Sequence, residues 1–282
     1  MKTLIQKIHV EEHCSFACRT YRTPQFETNW HMHEEYELIV LTEGHGTAMI
    51  GDYVGEYRAG DVFFLAGNLP HWFRKAHAKM TGAAVVVHFV KGIFGDSLLS
   101  QPEMRLVKQL LDRNNGLQLT DNLQQEMAAA IVAMETASGY QRFRLLLDSL
   151  QQIGSSNSYQ VITEDFTQTT EDVNPAIETI IDYSFRHYLE PITLEQVAAV
   201  AGMSIPTFCR FFRRNLKKTY FDFLQDLRIS HACKLLANTD KPVLEVCYDS
   251  GYNSWAHFSK QFKRVKGLPP GRYRKRFLEC DN

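Results

Sequence analysis

The chain lacks any apolar run long enough to cross a membrane. Nowhere in its 282 residues is there a stretch approaching the ~20 consecutive apolar residues that a transmembrane helix needs. The first residues, Met1 to Lys7, carry charge at once and contain no apolar core of the kind found in signal peptides. We therefore expect a cytoplasmic protein with no membrane among its partners.

Cysteine is also scarce, and its six residues include no Cys-x-x-Cys pair. This absence removes the usual spacing of a structural zinc site or a redox disulfide. Most of the cysteines fall in apolar stripes of expected helices, so free buried thiols in a reducing cytoplasm are a better interpretation than disulfides. The six are Cys14, Cys18, Cys209, Cys233, Cys247 and Cys280.

Net charge is nearly absent, at −1, which by itself would argue against a nucleic-acid partner. The balance hides an asymmetry between the two parts of the chain. Residues from 175 onward contain 17 Lys and Arg against 11 Asp and Glu, whereas the residues before them contain 14 against 21. An acidic part joined to a basic part predicts that only the basic part contacts phosphates.

The first part of the chain contains short strand-like segments separated by turn residues. The predicted strands are 15–21, 36–41, 47–50, 53–57, 61–65 and 83–89, and Gly51-Asp52 is typical of a hairpin turn. Many short strands at close spacing favour a β-barrel or a jelly roll. From residue 101 to 152 the apolar period becomes helical. These helices are expected to cover the barrel.

Residues 154–172 are rich in Ser, Thr, Asn, Gln and acidic side chains, a composition typical of an interdomain linker. Asn174-Pro175 then has the form of a helix cap followed by a first helical residue. The expected division is therefore a barrel over residues 1–98, a helical segment over 99–153, a linker over 154–173 and a second domain over 174–282.

One short sequence pattern occurs twice in the second part of the chain. A short stretch with helical apolar spacing, 194–201, is followed by Gly202, and then by Ser204 and Pro206, which suit the start of another helix. The second copy runs from 243 to 266, and its Gly251 lies 49 positions after Gly202. A helix, a short turn and a second helix form the layout that places the second helix in a DNA major groove.

A wider set of residues in this part matches the pattern of a known family. The set is Gly202-Met203-Ser204, Arg210 to Arg214, Leu227-Arg228-Ile229, Ala232, Leu235-Leu236, Gly251-Tyr252, Phe258-Ser259-Lys260, Phe262-Lys263, Gly267 to Pro270 and Tyr273-Arg274. It resembles the AraC/XylS transcription regulators over roughly the last hundred residues. The resemblance implies a DNA-binding domain of seven helices with two helix-turn-helix motifs, joined by a long helix at about Tyr220 to Asn238.

Only outward residues near the start of each second helix can reach base edges. The predicted base-reading residues are Ile205, Pro206, Cys209 and Arg210 in the first copy, and Trp255, Ala256, Ser259 and Lys260 in the second. Phe208, Phe211 and Phe212 are expected to face the core. Arg210 is the best candidate, because its guanidinium can donate two hydrogen bonds to guanine. A phosphate contact or a surface ion pair of Arg210 is the open alternative.

Cationic residues farther along the same helices are expected to contact phosphates, which position a protein without specifying sequence. They are Arg213, Arg214, Lys217, Lys218, Lys263, Arg264 and Lys266. Arg228 in the joining helix matches a family arginine that is usually structural or phosphate-facing. The resemblance also implies double-stranded DNA as a partner, activation of transcription with direct contact to RNA polymerase, and a homodimer. In the family the helices after the barrel commonly form the dimer contact, so the helices within 101–152 either cover the barrel or form that contact, and both roles can hold together.

A second motif lies in the predicted barrel. His31-Met32-His33 is followed by Glu37 and Gly44, and later by Gly60-Asp61, Pro70 and His71. This order resembles the paired motifs of the cupin fold, a small β-barrel that forms the sensor half of many AraC-type regulators. In metal-binding cupins these positions are ligands, here His31, His33, Glu37 and His71. Histidine with carboxylate suits a divalent metal such as Fe, Mn, Ni or Zn.

The alternative for these four residues is a pocket lining without a metal, in which the histidines bind an effector or backbone carbonyls. Trp30 and Trp72 lie beside the motif histidines and would stack on a sugar, or else belong to the core. The predicted effector pocket thus comprises Trp30, His31, His33, Glu37, His71 and Trp72.

The sequence as a whole predicts an α+β fold: an N-terminal cupin-like β-barrel with following helices, then an all-α DNA-binding domain. The function predicted from it is a sequence-specific transcription regulator that responds to a small molecule, one candidate being a sugar. The alternative is a metal-dependent cupin enzyme, an isomerase or a dioxygenase. A free-standing enzyme has no use for two DNA-reading helices, which disfavours that alternative.

Overall fold

The computed structural model describes residues 4–24, 26, 29–164, 166 and 176–280, and the chain divides into two compact units, Met1–Val173 and Asn174–Asn282. The first unit contains two β-sheets and a set of helices, and the described part of the second is helical throughout. The predicted α+β fold is confirmed. No helix within the described ranges has the length and apolar character needed to cross a membrane.

The strands of the first unit are short. They are β1 Leu4–Ile5, β2 Ala17–Arg22, β3 His31–Met32, β4 Tyr36–Glu43, β5 His45–Ile50, β6 Tyr53–Arg58, β7 Val62–Leu65, β8 His71–Lys75, β9 Ala83–Phe89, β10 Gly116–Leu119 and β11 Tyr159–Thr163. One sheet has the order β1-β3-β8-β5-β6 and the other β11-β10-β7-β4-β9-β2. The predicted hairpin is confirmed, because Ile50 pairs with Tyr53 around Gly51-Asp52.

Strand β4 shows how the layers of the first unit pack. Ile39 and Leu41 point into the core between the two sheets, where they meet Phe73 from the opposite sheet. Leu38 and Val40 alternate with them and pack on the other face against helical residues. The helices there are α1 Gly95–Leu99, α2 Arg105–Leu111, α3 Asp121–Thr136 and α4 Gly139–Ser155. These helices therefore cover the barrel, and a dimer contact by them stays a prediction.

Two strands lie where the sequence predicted a helical segment and a linker. Strand β10 pairs with β7, and β11 pairs with β10, so both extend the larger sheet. The linker prediction is therefore wrong for 159–163, and helix α4 includes 154–155. Strand β11 is an edge strand with half-exposed side chains, which explains its polar composition. Residues 165 and 167–173 of the predicted linker and the Asn174-Pro175 cap lie outside the described residues.

The helices of the second unit are α5 Ala176–His187, α6 Leu194–Val200, α7 Ile205–Leu216, α8 Tyr220–Asn238, α9 Val243–Asp249, α10 Trp255–Lys266 and α11 Pro270–Cys280. Helices α6 and α7 form the first predicted helix-turn-helix motif, and α9 and α10 form the second. The predicted joining helix is confirmed as α8. Thr219 caps its start, since the Thr219 hydroxyl accepts from the backbone N–H of Asp222.

The turns of the two motifs need glycine. Gly202 has φ +65° and Gly251 has φ +77°, in the left-handed region that side chains disfavour. A side chain at Gly251 would also lie 2.9 Å from the carbonyl oxygen of Leu189. Ser204 occupies the N-cap of α7, but its hydroxyl bonds to that of Thr207 and not to a backbone N–H, so the predicted side-chain cap is absent there.

Aromatic rings fill the core of the second unit. Phe212 of α7 lies 5.3 Å from the ring of Tyr220 and 5.5 Å from that of Phe223, so α7 is held on the first half of α8. Phe258 and Phe262 of α10 pack with Ile229, Cys233 and Leu236 on the second half of α8. One helix thus supports both motifs through matching phenylalanines.

Candidate functional site

The outer face of α7 carries most of the predicted base-reading residues of the first motif. Pro206, Cys209 and Arg210 are exposed and Ile205 is half-buried, whereas Phe208 and Phe212 are fully buried. Phe211 is only half-buried, so its predicted place in the core is correct in part. Arg210 makes no hydrogen bond or ion pair with the described residues, which leaves its guanidinium available to a partner.

The outer face of α10 repeats this arrangement in the second motif. Trp255 is 43% exposed, Ala256 and Lys260 are exposed, and Ser259 is half-buried. The start of α10 is fixed by Ser254, whose hydroxyl accepts from the backbone N–H of His257.

Two exposed polar residues on these faces were missed by the sequence prediction. Thr207 in the first turn of α7 and His257 in the first turn of α10 are both exposed, and His257 also bonds to Gln261 at 3.3 Å. Both occupy the third position of their helices, where a side chain near a helix start reaches a groove. The helical spacing from Phe208 and Phe258 contained the signal, because a residue one position before a buried one lies off the core.

The cationic residues expected at phosphates divide into two groups. Arg213, Arg214, Lys217, Lys263 and Arg264 are exposed, and Lys266 is half-buried. Lys218 is different, because its Nζ lies 2.7 Å from Asp226 Oδ2 and both side chains are mostly buried. In this fold Lys218 is in an intramolecular ion pair, and its phosphate contact stays a prediction. Arg264 also pairs with Asp222, at 3.2 Å, but on an exposed surface.

Arg228 of α8 is structural. Its Nε donates to the carbonyl oxygen of Tyr188 at 2.7 Å, and its terminal nitrogen donates to that of Glu190 at 2.9 Å. These bonds hold the segment between α5 and α6 on the joining helix. Of the two family roles expected for this arginine, the structure has the first.

The barrel gathers its four motif residues into one buried cluster and adds a fifth. Nε2 of His33 and Nε2 of His88 each lie 3.1 Å from Glu37 Oε2, and Nε2 of His71 lies 3.2 Å from it without hydrogen-bond alignment. The ring of His31 is 4.3 Å from that of His71. His88 was missed, because it lies in a continuous apolar strand and meets Glu37 only through the pairing of β9 with β4.

Backbone carbonyls fix the orientation of the three motif histidines. Nδ1 of His31, His33 and His71 lies 2.8, 3.0 and 2.8 Å from the carbonyl oxygens of Asn29, Glu35 and Leu69. A carbonyl only accepts, so each Nδ1 carries the proton and each neutral ring has its lone pair on Nε2. This is the usual arrangement of histidines that ligate a metal through Nε2.

His33 and His71 therefore face an acceptor at both ring nitrogens. A neutral imidazole has a single N–H, so the contact of Nε2 with Glu37 requires either a second proton or a cation between nitrogen and carboxylate. A second charge on two buried rings is costly. Two groups of three residues each have their candidate ligand atoms within 4.8 Å of one another: His31, His33 and His71 form one group, and His33, Glu37 and His88 form the other. These residues fit a divalent metal ion.

The ionisation of the cluster agrees with this fit. Burial lowers the pKa of His31 well below its ordinary value, and the neighbouring His71 and His33 lower it further, so His31 is a neutral ligand. Burial alone would raise the pKa of Glu37, but the histidines around it, His71 first, hold that pKa well below its ordinary value. Glu37 is therefore an ionised carboxylate.

A cavity of about 50 Å³ opens beside the cluster. It is lined by Gln6, Tyr21, Phe26, His31, Glu37, Ile39, His71, Phe73, Ala84, Val86 and His88. Three of the predicted pocket residues, His31, Glu37 and His71, line this cavity. His33, Trp30 and Trp72 are not among its lining residues. Trp72 follows His71 on β8, so it points to the opposite face, where it packs with Arg74.

Comparison with protein families finds two matches in this chain. A model described as the AraC-like ligand binding domain matches residues 13–150, and a model described as a helix-turn-helix domain matches residues 197–276. The first match covers the barrel with its helices, and the second covers both helix-turn-helix motifs.

Individual relatives match either the second unit or nearly the whole chain. The regulatory protein SoxS of Salmonella typhimurium is 30% identical over 100 residues, 36% of this chain and 94% of SoxS. An uncharacterized HTH-type transcriptional regulator of Bacillus subtilis, YdeC, is 30% identical over 119 residues, 42% of this chain and only 40% of YdeC. The lactose operon transcription activator of Staphylococcus xylosus is 22% identical over 270 residues, 90% of this chain and 88% of that protein.

Proposed function

Because this chain belongs to the AraC family of DNA-binding transcription regulators and carries that family's ligand-binding domain, we propose that it activates transcription when a small molecule binds in its barrel. It is a regulator and not an enzyme, so the expectation of a cupin isomerase or dioxygenase is set aside. Activation is supported by the lactose operon transcription activator, whose similarity extends over both units. The protein acts on DNA in the cytoplasm.

The observation that supports DNA reading by both motifs is the matching exposed face of α7 and α10. In our proposal Arg210 and Lys260, which occupy equivalent positions, contact bases, together with Ile205, Pro206, Cys209, Trp255, Ala256 and Ser259. Arg213, Arg214, Lys217, Lys263, Arg264 and Lys266 contact phosphates. The two recognition helices would enter successive major grooves, roughly 34 Å apart, and read two short boxes.

A binding selection from randomised duplex DNA tests this division of roles. For Arg210→Ala we expect a loss of about 1–3 kcal/mol on the preferred sequence and relaxed choice in one box only, because a base contact is removed. The matched control is Lys263→Ala, which should weaken all sequences alike, because a phosphate contact has no base information. If Arg210→Ala instead lowers the affinity for every sequence equally, Arg210 contacts a phosphate, and the assignment of α7 as a base-reading helix fails.

We further propose that the barrel holds one divalent metal ion through His31, His33, Glu37 and His71. The double acceptors at His33 and His71 support this proposal. A bound ion would supply a Lewis-acid centre that can hold an oxygen atom of the effector. The protein's own part is to keep each Nδ1 on its carbonyl and so aim the Nε2 lone pairs at one point.

Metal content of the purified full chain tests the site. After incubation with Zn²⁺, Mn²⁺ or Ni²⁺ and removal of free ion, mass spectrometry should find near one equivalent, and His33→Ala should remove it. The matched control is His13→Ala, an exposed histidine outside the cluster, which should retain the ion. Metal content near zero in the unaltered chain would contradict the proposal, and the histidines would then be a metal-free lining.

Oligomeric state and contact with the transcription machinery complete the proposal. We infer a homodimer that contacts RNA polymerase, as the family resemblance suggests. Val132 and Tyr140, on α3 and α4, are large side chains exposed on the barrel unit. Their exposure supports a dimer contact by these helices. Sedimentation of Tyr140→Glu should show monomer where the unaltered chain sediments as a dimer, and an unchanged dimer would exclude this face.

A further inference from the structure

We propose that Cys14 and Cys18 form a peroxide-reactive dithiol, in which Arg142 favours the oxidation of Cys14 and Cys18 then closes a disulfide with it. This inference goes beyond the proposed function, because it gives the barrel unit a second chemical input, an oxidant, in addition to a bound small molecule. It uses none of the residues of the histidine cluster and does not depend on a metal ion.

The guanidinium of Arg142, on α4, joins the two cysteines. Its Nη1 donates to the Sγ of Cys14 at 3.4 Å, and its Nη2 donates to the backbone carbonyl oxygen of Cys18 at 3.5 Å. Its Cζ lies 5.1 Å from the centre of the Phe16 ring, which holds the guanidinium in place. Cys14, Cys18 and Arg142 line one small crevice, and both cysteines are free thiols. Two thiols therefore share one cationic group.

The charge of Arg142 lacks a carboxylate to balance it. Arg142 is half-buried, and it makes no ion pair with the part of the chain that the structure describes. Glu11 borders the same crevice but is not paired with it. The Nε of Arg142 is buried and has no hydrogen-bond partner among the described residues. A cation in this position stabilises negative charge that forms beside it, and the sulfur of Cys14 is in direct contact with it.

The two cysteines differ in their access to solvent. Cys14 is half-buried, whereas Cys18 is 9% exposed and its Sγ lies 4.0 Å from the carbonyl oxygen of Ile131. Burial raises the pKa of Cys18 to about 11, and the charge of Arg142 opposes this effect only in part. Since the thiolate is the form that reacts, Cys18 is the protonated, sheltered thiol and Cys14 is the one that meets the oxidant.

The first step of the reaction oxidises Cys14. Its thiolate sulfur attacks one oxygen of hydrogen peroxide, and the O–O bond breaks. The departing hydroxide takes up the proton that the thiol has lost, so the products are a sulfenic acid on Cys14 and one water. Peroxide is reduced, and the sulfur is oxidised by two electrons.

The second step joins the two sulfurs. The sulfur of Cys18 attacks the sulfur of the sulfenic acid, the S–O bond breaks, and hydroxide leaves with the Cys18 proton as a second water. Cys14 lies in the irregular segment before β2, whereas Cys18 is paired with Val87 in the sheet. Cys14 can therefore approach Cys18 without any change in the pairing of β2 with β9.

Peptide mapping of the full chain tests the proposal. Cys14 and Cys18 lie in one tryptic peptide, residues 8–19. After reduction, exposure to hydrogen peroxide, alkylation of the remaining thiols and digestion, mass spectrometry should find this peptide without alkyl groups and lighter by two hydrogen atoms. Cys209, an exposed cysteine of the helical unit, is the internal control, and its oxidation should be roughly tenfold slower.

Variants assign a role to each residue. Arg142→Gln removes the charge and should slow the oxidation of Cys14 roughly tenfold, whereas Arg142→Lys should retain part of the rate. The matched control is Arg144→Gln, at an exposed arginine of the same helix, which should leave the rate unchanged. Cys18→Ser should stop the reaction at the sulfenic acid, which dimedone traps on Cys14. This variant keeps the proposal testable if Arg142→Gln does not fold.

Three results would overturn the proposal. Peptide 8–19 could stay reduced while Cys209 is oxidised, which would show that exposure alone decides reactivity. Oxidation of Cys14 at the same rate in Arg142→Gln, correctly folded, would remove the role of the guanidinium. Dimedone labelling of Cys14 in the unaltered chain, with no disulfide in the peptide, would show that Cys18 does not take part.

Discussion

The barrel unit buries its candidate functional groups in its core, whereas the helical unit exposes them on its surface. In the barrel, His33, Glu37, His71 and His88 are each 2% to 3% exposed and lie between two sheets. In the helical unit the candidate DNA-contacting residues such as Arg210 and Lys260 lie outside, and the interior consists of phenylalanines and aliphatic side chains.

This difference determines how function and stability are coupled. A buried charged group must be satisfied by its surroundings, so the residues that would bind an effector also contribute to the stability of the barrel. An exposed Lys or Arg has no such requirement, because water solvates it. We therefore expect substitutions in the barrel cluster to change stability and binding together, and substitutions on the recognition helices to change DNA binding alone.

The largest effect should come from Phe212→Ala, which tests whether the aromatic core carries the stability of the helical unit. Phe212 is fully buried among Phe208, Tyr220 and Phe223. Its truncation should lower the free energy of unfolding of this unit by about 3–5 kcal/mol. Urea denaturation followed through amide NMR resonances reports each unit separately.

Phe221→Ala is the matched control for Phe212. Its side chain is 44% exposed on the same helical unit, so the change should stay within about 0.5 kcal/mol. If both variants lose the same free energy of unfolding, the aromatic core around Phe212 does not determine the stability of the helical unit.

A smaller effect is expected for Glu37→Gln, which tests the coupling in the barrel. The amide keeps the size of the side chain but removes the charge that His33 and His88 contact. Hydrogen bonds to a charged group contribute about 1.5–3 kcal/mol. The free energy of unfolding followed through the barrel resonances should therefore fall by an amount of that order, while that of the helical unit should not change. The same variant should lose the bound metal.

The exposed Glu103→Gln is the control for this change, and it should alter neither quantity. A barrel that is equally or more stable in Glu37→Gln would mean that burying the carboxylate costs more than its hydrogen bonds contribute. Function and stability would then oppose each other at this site.

Two lysines sharpen the comparison within the helical unit. Lys218 is paired with Asp226 and mostly buried, whereas Lys263 is exposed. Lys218→Ala should lower the stability of the unit by about 1 kcal/mol and leave the salt dependence of DNA binding unchanged. Lys263→Ala should reduce the slope of log K against log salt by about 1 and leave stability unchanged. The reverse result would return Lys218 to the phosphate contacts.

Elements with a strong local period could be predicted from the sequence, and contacts between distant residues could not. The bounds of β9 followed from its apolar run, and β4 runs two residues beyond the predicted 36–41. The bounds of α8 came from the family resemblance. Strands β10 and β11 are short, and they are defined only by pairing, of β10 with β7 and of β11 with β10. His88 has no local signal at all, since register with Glu37 over 51 positions brings it to the cluster. Lys218 resembled its cationic neighbours until its partner eight residues later was seen.

The smallest expected effect concerns His231, a half-buried histidine of the helical unit. His231 lies on α8, and its Nδ1 lies 3.0 Å from the hydroxyl oxygen of Tyr188. Burial lowers the pKa of His231 below its ordinary value, and the charge of Lys234 lowers it further. The unfolded chain therefore takes up the proton first, near pH 6.5, so this contribution to stability is complete above that pH and is lost as pH falls below it. Urea titrations followed by NMR between pH 5 and 8 should show the decline in the helical unit, and His231→Gln should flatten it. His257→Gln, at an exposed histidine of the same unit, should leave the decline in place. A decline that persists in His231→Gln would assign it to another titrating group of the helical unit.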